Sequence, residues 1–364
     1  MYDMYKVLLI LIFTTIMSLI FTEIIRILSF KIGAVDEPNS RRVNTVTMPS
    51  SGGLAIYFSY FITVLFLIPL NREITIPIFI GATIIVITGL IDDIKGISPR
   101  FKMLGIILAT LSVYYLGNIQ MNGLEIPFVG LVDLKYLSLP MTILWVTAIT
   151  NSINLIDGLD GLATGVSSIS LVTIGIIAFF FLGADNLDVS IMVFALVAAA
   201  VGFLPANYFP AKIYLGDTGA LFLGFMISVF SLFHLKNVTF FTLTVPLVIL
   251  ALPIGDTVYA IIRRKMNKQP ISMADNKHIH HRLMALGFTH KQSVKLLYTL
   301  TTVFSFVSLL FPVASTVGAI MLALGLLLSL QFLAELIGLV NEETRPLTRF
   351  FKIVLKIFNK DFDR

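Results

Sequence analysis

The sequence predicts an all-α polytopic membrane protein of about eleven transmembrane helices, and three observations carry that prediction. Hydrophobic residues make up 57% of the 364 and charged residues only 13%, against about 25% charged in a typical soluble domain. Apolar runs recur along the whole chain, long enough for the roughly 17 to 25 residues that cross a bilayer core. Lys and Arg fall almost entirely in alternate loops. A soluble fold of this size could not bury so much apolar surface. Backbone groups in hydrocarbon must be satisfied within their own segment, so the runs are helices, not strands.

The first run, 7–28, is too long for the apolar part of a signal peptide and lacks a small-residue cleavage site, so it reads as a retained span. The second, 52–70, opens at Gly52-Gly53, and the third, 75–91, ends at Asp92-Asp93. After the fourth, 102–117, the segment 118–137 sets Gly and Asn turn signals between short apolar stretches, which suits a small external hairpin. The fifth, 138–152, runs into the polar stretch NSINLIDGLDGL. The sixth and seventh are 162–182 and 189–206; the eighth, 218–234, follows LGDTG. The ninth, 240–262, ends at Arg263-Arg264, and 296–312 and 315–339 complete the set. Residues 1–340 are thus expected to form one transmembrane helical domain. From 341 to 364, Phe350, Phe351, Ile353, Leu355 and Phe358 alternate with Arg349, Lys352 and Lys356, the pattern of a basic amphipathic tail lying on anionic headgroups.

Lys6, Arg72, Lys135 and Lys236 fall on one side and Arg26 within the first span, which leaves 21 of the 26 Lys and Arg on the other side. By the positive-inside rule that side is cytoplasmic, the N-terminus is outside and the C-terminus inside. The net charge of +5 follows from this asymmetry and is not a nucleic-acid signature. With no cysteine, disulfides and thiolate metal sites are excluded.

Four polar motifs interrupt the apolar chain, and this topology puts all four on one face. Two adjacent carboxylates, Asp92 and Asp93, end a helix, where the helix dipole disfavours them; Lys95, Arg100 and Lys102 lie nearby to compensate or to bind anions. In NSINLIDGLDGL, Asn151, Asn154 and Asp157 recur at i, i+3 and i+6 along one helical face, and Gly158 and Gly161 let backbone approach a ligand. Their oxygens are hard donors that suit Mg²⁺; the plainer reading is a polar loop with two Asp-Gly turns. Asp217 in LGDTG could cap the next helix with Thr218 and still serve a metal, while Tyr214 offers a ring that can stack on a base. Asp256 is read as a structural partner of a basic neighbour, with Arg263 and Arg264 one to two turns on.

The run HIHHR brings His278, His280, His281 and Arg282 together within five residues. It lacks the i, i+4 spacing of helical zinc ligands and works better as a set of donors to a diphosphate. His290 and His234 have no such company and read as incidental. Metal-binding oxygens, phosphate-binding imidazoles and a stacking ring on one membrane face describe transfer between a nucleotide diphosphate and a lipid phosphate. A transporter is the competing class, but its acids would lie near the bilayer midplane, not at one face.

With these motifs the chain resembles the polyprenyl-phosphate N-acetylhexosamine-1-phosphate transferases over nearly its whole length. The matching segments are the Asp92-Asp93 pair, NSINLIDGLDGLA, YLGDTG, PIGDTVYAIIRR, ADNKHIHHRL headed by Asp275, and VDEPNSRR followed by GGLAIY. The HIHHR form is similar to the bacterial branch that moves GlcNAc-1-phosphate from UDP-GlcNAc to undecaprenyl phosphate, at the first membrane step of a surface polysaccharide such as wall teichoic acid. The UDP-MurNAc-pentapeptide branch carries three consecutive histidines followed by Phe-Glu. The resemblance implies that Asn154 and Asp217 hold Mg²⁺, with Mn²⁺ as its substitute, that Tyr214 stacks on uracil and that Asp160 bonds its edge. Asp157, Asn151 and His278 join the substrate side. Lys102, His280, His281 and Arg282 would contact the diphosphate or sugar, and Asp92 with Asp93 would handle the acceptor phosphate. It also implies a bacterial cytoplasmic membrane location, an active site facing the cytoplasm, and a surface compatible with a homodimer. The first loop departs from the family: Arg41-Arg42-Val43-Asn44 stands where Arg-Lys-x-His is common, and Ser50-Ser51 precede the glycine pair, so Asn44 is assigned no catalytic part. A phosphate monoester with a second pKa near 6 is already mostly a dianion at pH 7, which favours a single displacement over a covalent enzyme intermediate.

Overall fold

In a computed structural model the chain is described over residues 3–37, 46–126, 129–181, 187–233, 240–270 and 277–339, with Thr348. Arg41, Arg42, Asn44, His234, Asp275 and, Thr348 apart, the tail at 341–364 lie outside the described residues. The architecture is a helical bundle with two small β pairs. Helix α1 (Met4–Ile32) starts where the Asp3 side chain accepts from the Tyr5 and Lys6 amides. Strands β1 (Val35–Asp36) and β2 (Met48–Pro49) pair antiparallel beneath it. Then come α2 (Gly53–Ile62), α3 (Arg72–Lys95) and α4 (Pro99–Gly117). The antiparallel pair β3 (Gly123–Ile126) and β4 (Gly130–Asp133) is the hairpin expected within 118–137. Beyond it lie α5 (Ser138–Ile156), α6 (Leu162–Phe181), α7 (Leu187–Asn207) and α8 (Gly216–Phe233). The last group is α9 (Phe240–Ile249), α10 (Ala251–Met266), α11 (Ile279–Ala285), α12 (His290–Ser308) and α13 (Thr316–Ile337).

Among the described residues nine helices are long and apolar enough to cross a membrane, so the protein is polytopic; two of the eleven expected spans take another form. The second is short, Gly53–Leu67, its last turn π-helical. It stops because Ile68 precedes Pro69, and the residue before proline is driven out of the helical region; Ile68 is extended at φ −118°, ψ 130°. The ninth is divided between α9 and α10 at Leu250. Pro253 has no N–H for the Ile249 carbonyl and its ring crowds that carbonyl, which breaks the helix there.

Helix α8 is the core. Every residue from Thr218 to Phe233 is buried, and α2, α3, α5 and α6 pack around it. Lipid tails are as apolar as leucine, so such packing relies on small residues and close contact instead of water exclusion. A methyl on Gly53 would lie 2.2 Å from the Gly219 Cα, and one on Gly89 would lie 2.5 Å from the Thr218 Cα. Across α5 and α8 the Trp145 indole donates to Ser231 Oγ at 2.9 Å. By contrast, α1 and α13 turn long apolar side chains such as Ile12, Ile20, Leu324 and Leu327 outward. The C-terminal ends of α3 and α5 and the N-terminal ends of α4 and α8 meet at one end of the bundle, and the polar motifs meet there with them.

Candidate active site

The site is assembled on α8. Its first turn leaves amides without intrahelical acceptors, and α3 supplies the cap: Asp93 accepts from the Asp217 amide at 2.9 Å, the Thr218 amide at 3.0 Å and the Thr218 hydroxyl at 2.5 Å. The expected cap by Asp217 is therefore replaced by one from another helix, and the Asp217 carboxylate is left to face the site. Gly216 takes φ +71°, and a side chain there would strike the Ser50 carbonyl. The first loop braces the same turn. The Tyr214 amide donates to Pro49 O, and the Gly52 and Gly53 amides donate to Tyr214 O and Leu215 O, at 2.8 to 3.1 Å. Ser51 Oγ meets Ser29 Oγ at 2.5 Å. Ser50 and Ser51, where the chain departs from the family pattern, thus sit in the support of the Tyr214–Asp217 turn.

Around Asp217 lie one cation and two polar partners. The Lys102 ammonium, near the start of α4, is 2.5 Å from Asp92 Oδ2 and 2.9 Å from Asp217 Oδ1. Asn154 Nδ2 donates to the same Asp217 oxygen. Asp92 also accepts from the Ile97 amide at 2.7 Å, which folds the short link between α3 and α4 back on its helix end. Asp157, just beyond α5, has its carboxyl pKa raised well above the usual range, first by burial and then by the negative charges of Asp217, Asp93 and Asp160. So many carboxylates in one place favour a cation among them. In this structure Lys102 occupies that role. The Asp217 carboxylate and the Asn154 side-chain carbonyl are hard oxygens, and they fit Mg²⁺ better than a softer metal. Among the described residues no three His, Cys, Asp or Glu side chains converge enough to hold a metal unaided.

The histidine motif reaches the site through α11. Asp256, in α10, accepts from the Ile279 amide at 2.9 Å and lies 3.0 Å from His278 Nδ1. Its basic partner is therefore His278. His280 is buried with its ring over Gly158, where an added methyl would come within 2.1 Å of Nε2. The His280 and His278 rings lie parallel at 6.1 Å, and exposed His281 is 4.1 Å from His280. Arg282 donates to Gly338 O at the end of α13. Asn151 donates to Thr147 O within its own helix. The Asp160 carboxylate accepts from the Ala211 amide at 3.0 Å and its own amide donates to His290 Nε2 at 2.9 Å. His290, read from the sequence as incidental, is thus hydrogen-bonded to the Asp160 loop. No local pattern marks it, because its partner lies 130 residues away.

The structure therefore brings Asp92, Asp93, Lys102, Asn154, Asp157, Asp217 and His280 to one end of the bundle. Residues 75–234, the part that contributes most of them, match the model of glycosyl transferase family 4. The chain is 41% identical over 343 residues to a probable undecaprenyl-phosphate N-acetylglucosaminyl 1-phosphate transferase of Bacillus subtilis, covering 93% of this chain and 94% of the relative. It is 31% identical to a decaprenyl-phosphate N-acetylglucosaminephosphotransferase of Mycolicibacterium smegmatis over 78% of this chain and 76% of that one. A phospho-N-acetylmuramoyl-pentapeptide-transferase of Borrelia turicatae is 28% identical over 82% and 92% of the two chains. Likeness across nearly its full length, on a scaffold that gathers the four motifs at one point, makes this chain a member of the polyprenyl-phosphate N-acetylhexosamine-1-phosphate transferases of glycosyl transferase family 4.

Proposed function

We propose that this enzyme transfers GlcNAc-1-phosphate from UDP-GlcNAc to undecaprenyl phosphate, with Mg²⁺, at the cytoplasmic face of a bacterial membrane. The observation that carries the proposal is the junction of Asp92, Lys102, Asn154 and Asp217, drawn from four helices at one end of the bundle. The relative from Bacillus subtilis is named for this donor group and this acceptor, and HIHHR favours the sugar over the muramoyl-pentapeptide.

Asp217 and Asn154 would hold the metal, which when bound offsets the diphosphate charge and polarises its β-phosphorus. An acceptor oxygen of undecaprenyl phosphate forms a bond to that phosphorus as the bond to the bridging oxygen breaks, and UMP leaves with that oxygen. The acceptor enters as a dianion, so no proton has to be removed. Lys102 lies where it can contact the diphosphate once substrate separates it from the two carboxylates, and Asp92 orients the acceptor. Asp93 acts by capping α8 and so aims Asp217; it is a positioning residue, not a proton acceptor. Asp157 borders the metal side. Tyr214 stacks on uracil, with Asp160 at its edge. His280 and His281 face the diphosphate and sugar, and Asp256 fixes His278 and the start of α11. Arg282 serves here by tying α11 to the end of α13.

The test is UMP release by the purified protein in the presence of Mg²⁺. We expect release that requires undecaprenyl phosphate, prefers UDP-GlcNAc to UDP-MurNAc-pentapeptide and leaves no labelled phosphate on the protein when the acceptor is withheld. Preference for the muramoyl donor, or a labelled protein, would overturn the proposal.

A further inference from the structure

Helix α12 grips the 157–162 loop at two successive residues. At its first position the unprotonated Nε2 of His290 accepts from the Asp160 amide at 2.9 Å. About two turns further on, the Tyr298 hydroxyl donates to the Gly161 carbonyl. Gly161 takes φ +75°, so the loop turns sharply between these two grips. The His290 ring also packs on Phe209 at 4.6 Å between centroids. Two residues past Phe209, the Ala211 amide donates to the Asp160 carboxylate at 3.0 Å. His290 therefore touches both segments that lead to the base contacts assigned above, the loop of Asp160 and the stretch that ends at Tyr214. Its own placement is firm, because Thr289 and Gln292 close a capping box around the start of α12, and its side chain is only 16% exposed.

We infer that His290, seconded by Tyr298, is a positioning residue for nucleotide recognition: it fixes the Asp160 backbone and with it the carboxylate that meets the base. The inference rests on the assignment of Asp160 to the uracil edge. Nothing in this geometry places His290 at the reacting phosphorus. Its loss should therefore weaken donor binding and spare the chemical step.

The experiment is steady-state kinetics on variants that remain folded in detergent. His290→Phe keeps a ring against Phe209 but has no acceptor, whereas His290→Gln restores an acceptor oxygen near the place of Nε2. Loss of one buried hydrogen bond corresponds to roughly a tenfold rise in KM for UDP-GlcNAc. We expect that rise in His290→Phe with kcat and the KM for undecaprenyl phosphate little changed, and recovery of most of it in His290→Gln. Asp160→Asn should raise the same KM, and the double variant should be no worse than the weaker single one, since both changes act on one contact. A normal donor KM in His290→Phe beside a raised one in Asp160→Asn overturns this inference alone. A fall in kcat without a rise in KM, or strictly additive effects, also overturns it. An unchanged KM in Asp160→Asn defeats the base-edge assignment and this inference with it. Should His290→Phe not fold, Tyr298→Phe must show the same donor-specific rise, and a wild-type KM there overturns the inference.

Discussion

His280 stands with Nε2 over Gly158 and with Nδ1 buried and without a hydrogen-bond partner among the described residues. Burial first, and then the neighbouring His281, His278 and His290, lower its pKa to about 3. At pH 7 it is a neutral imidazole, able to offer one donor and one acceptor. The unfolded chain binds a proton at this residue as pH falls through about 6.5, while the folded chain resists until about 3. The linked stability is thus fully present above about 6.5 and is lost as pH falls toward 3. Between pH 7.5 and 5.0 the thermal unfolding midpoint of the wild type should drop more than that of His280→Gln; equal drops would refute this. The sequence made Asp217, Asn154 and Lys102 legible, because acid, amide and amine stood in motifs at span ends. It did not disclose that Asp93 caps a helix 124 residues away or that His290 serves Asp160, since such partners are set by helix packing and leave no local pattern.

The elements followed the hydrophobic pattern where length alone decided them: nine spans and the 123–133 hairpin lie where apolar runs and turn residues put them. The pattern failed where a single proline or a pairing of short segments decided the outcome, at Ile68, at Leu250 and in the β1–β2 pair. Helix α8 carries the greatest consequence, because its close approach to α2 sets the position of Asp217. Gly53→Ala places a methyl 2.2 Å from the Gly219 Cα, two residues beyond Asp217. Overpacking of this kind costs typically 1–3 kcal/mol, so the variant should unfold at lower temperature and lose most of its activity. Gly325→Ala, which meets nothing within 4 Å, is the matched control. A Gly53→Ala protein as stable and active as that control would contradict the account of α8.

For the whole molecule, the eleven-span reading of the sequence and its 21-to-4 bias of Lys and Arg between the two sides predict a site that faces the cytoplasm. The chain has no cysteine, so single cysteines report sidedness cleanly. Val129→Cys, at the exposed turn of the hairpin, should react with a membrane-impermeant maleimide on intact cells, and Phe288→Cys, near the start of α12, only after permeabilisation. The reverse pattern would invert the topology. The likeness to relatives over nearly the whole chain fixes the enzyme class, and within it the work proposed here falls to the polar cluster. The most direct test of that central claim is UMP release from UDP-GlcNAc, measured for the wild type and for a folded Asp217→Ala variant with and without Mg²⁺ and undecaprenyl phosphate. The wild type should release UMP only when both are present, and Asp217→Ala should release almost none. Full activity in Asp217→Ala, or release without the lipid phosphate, would contradict the account.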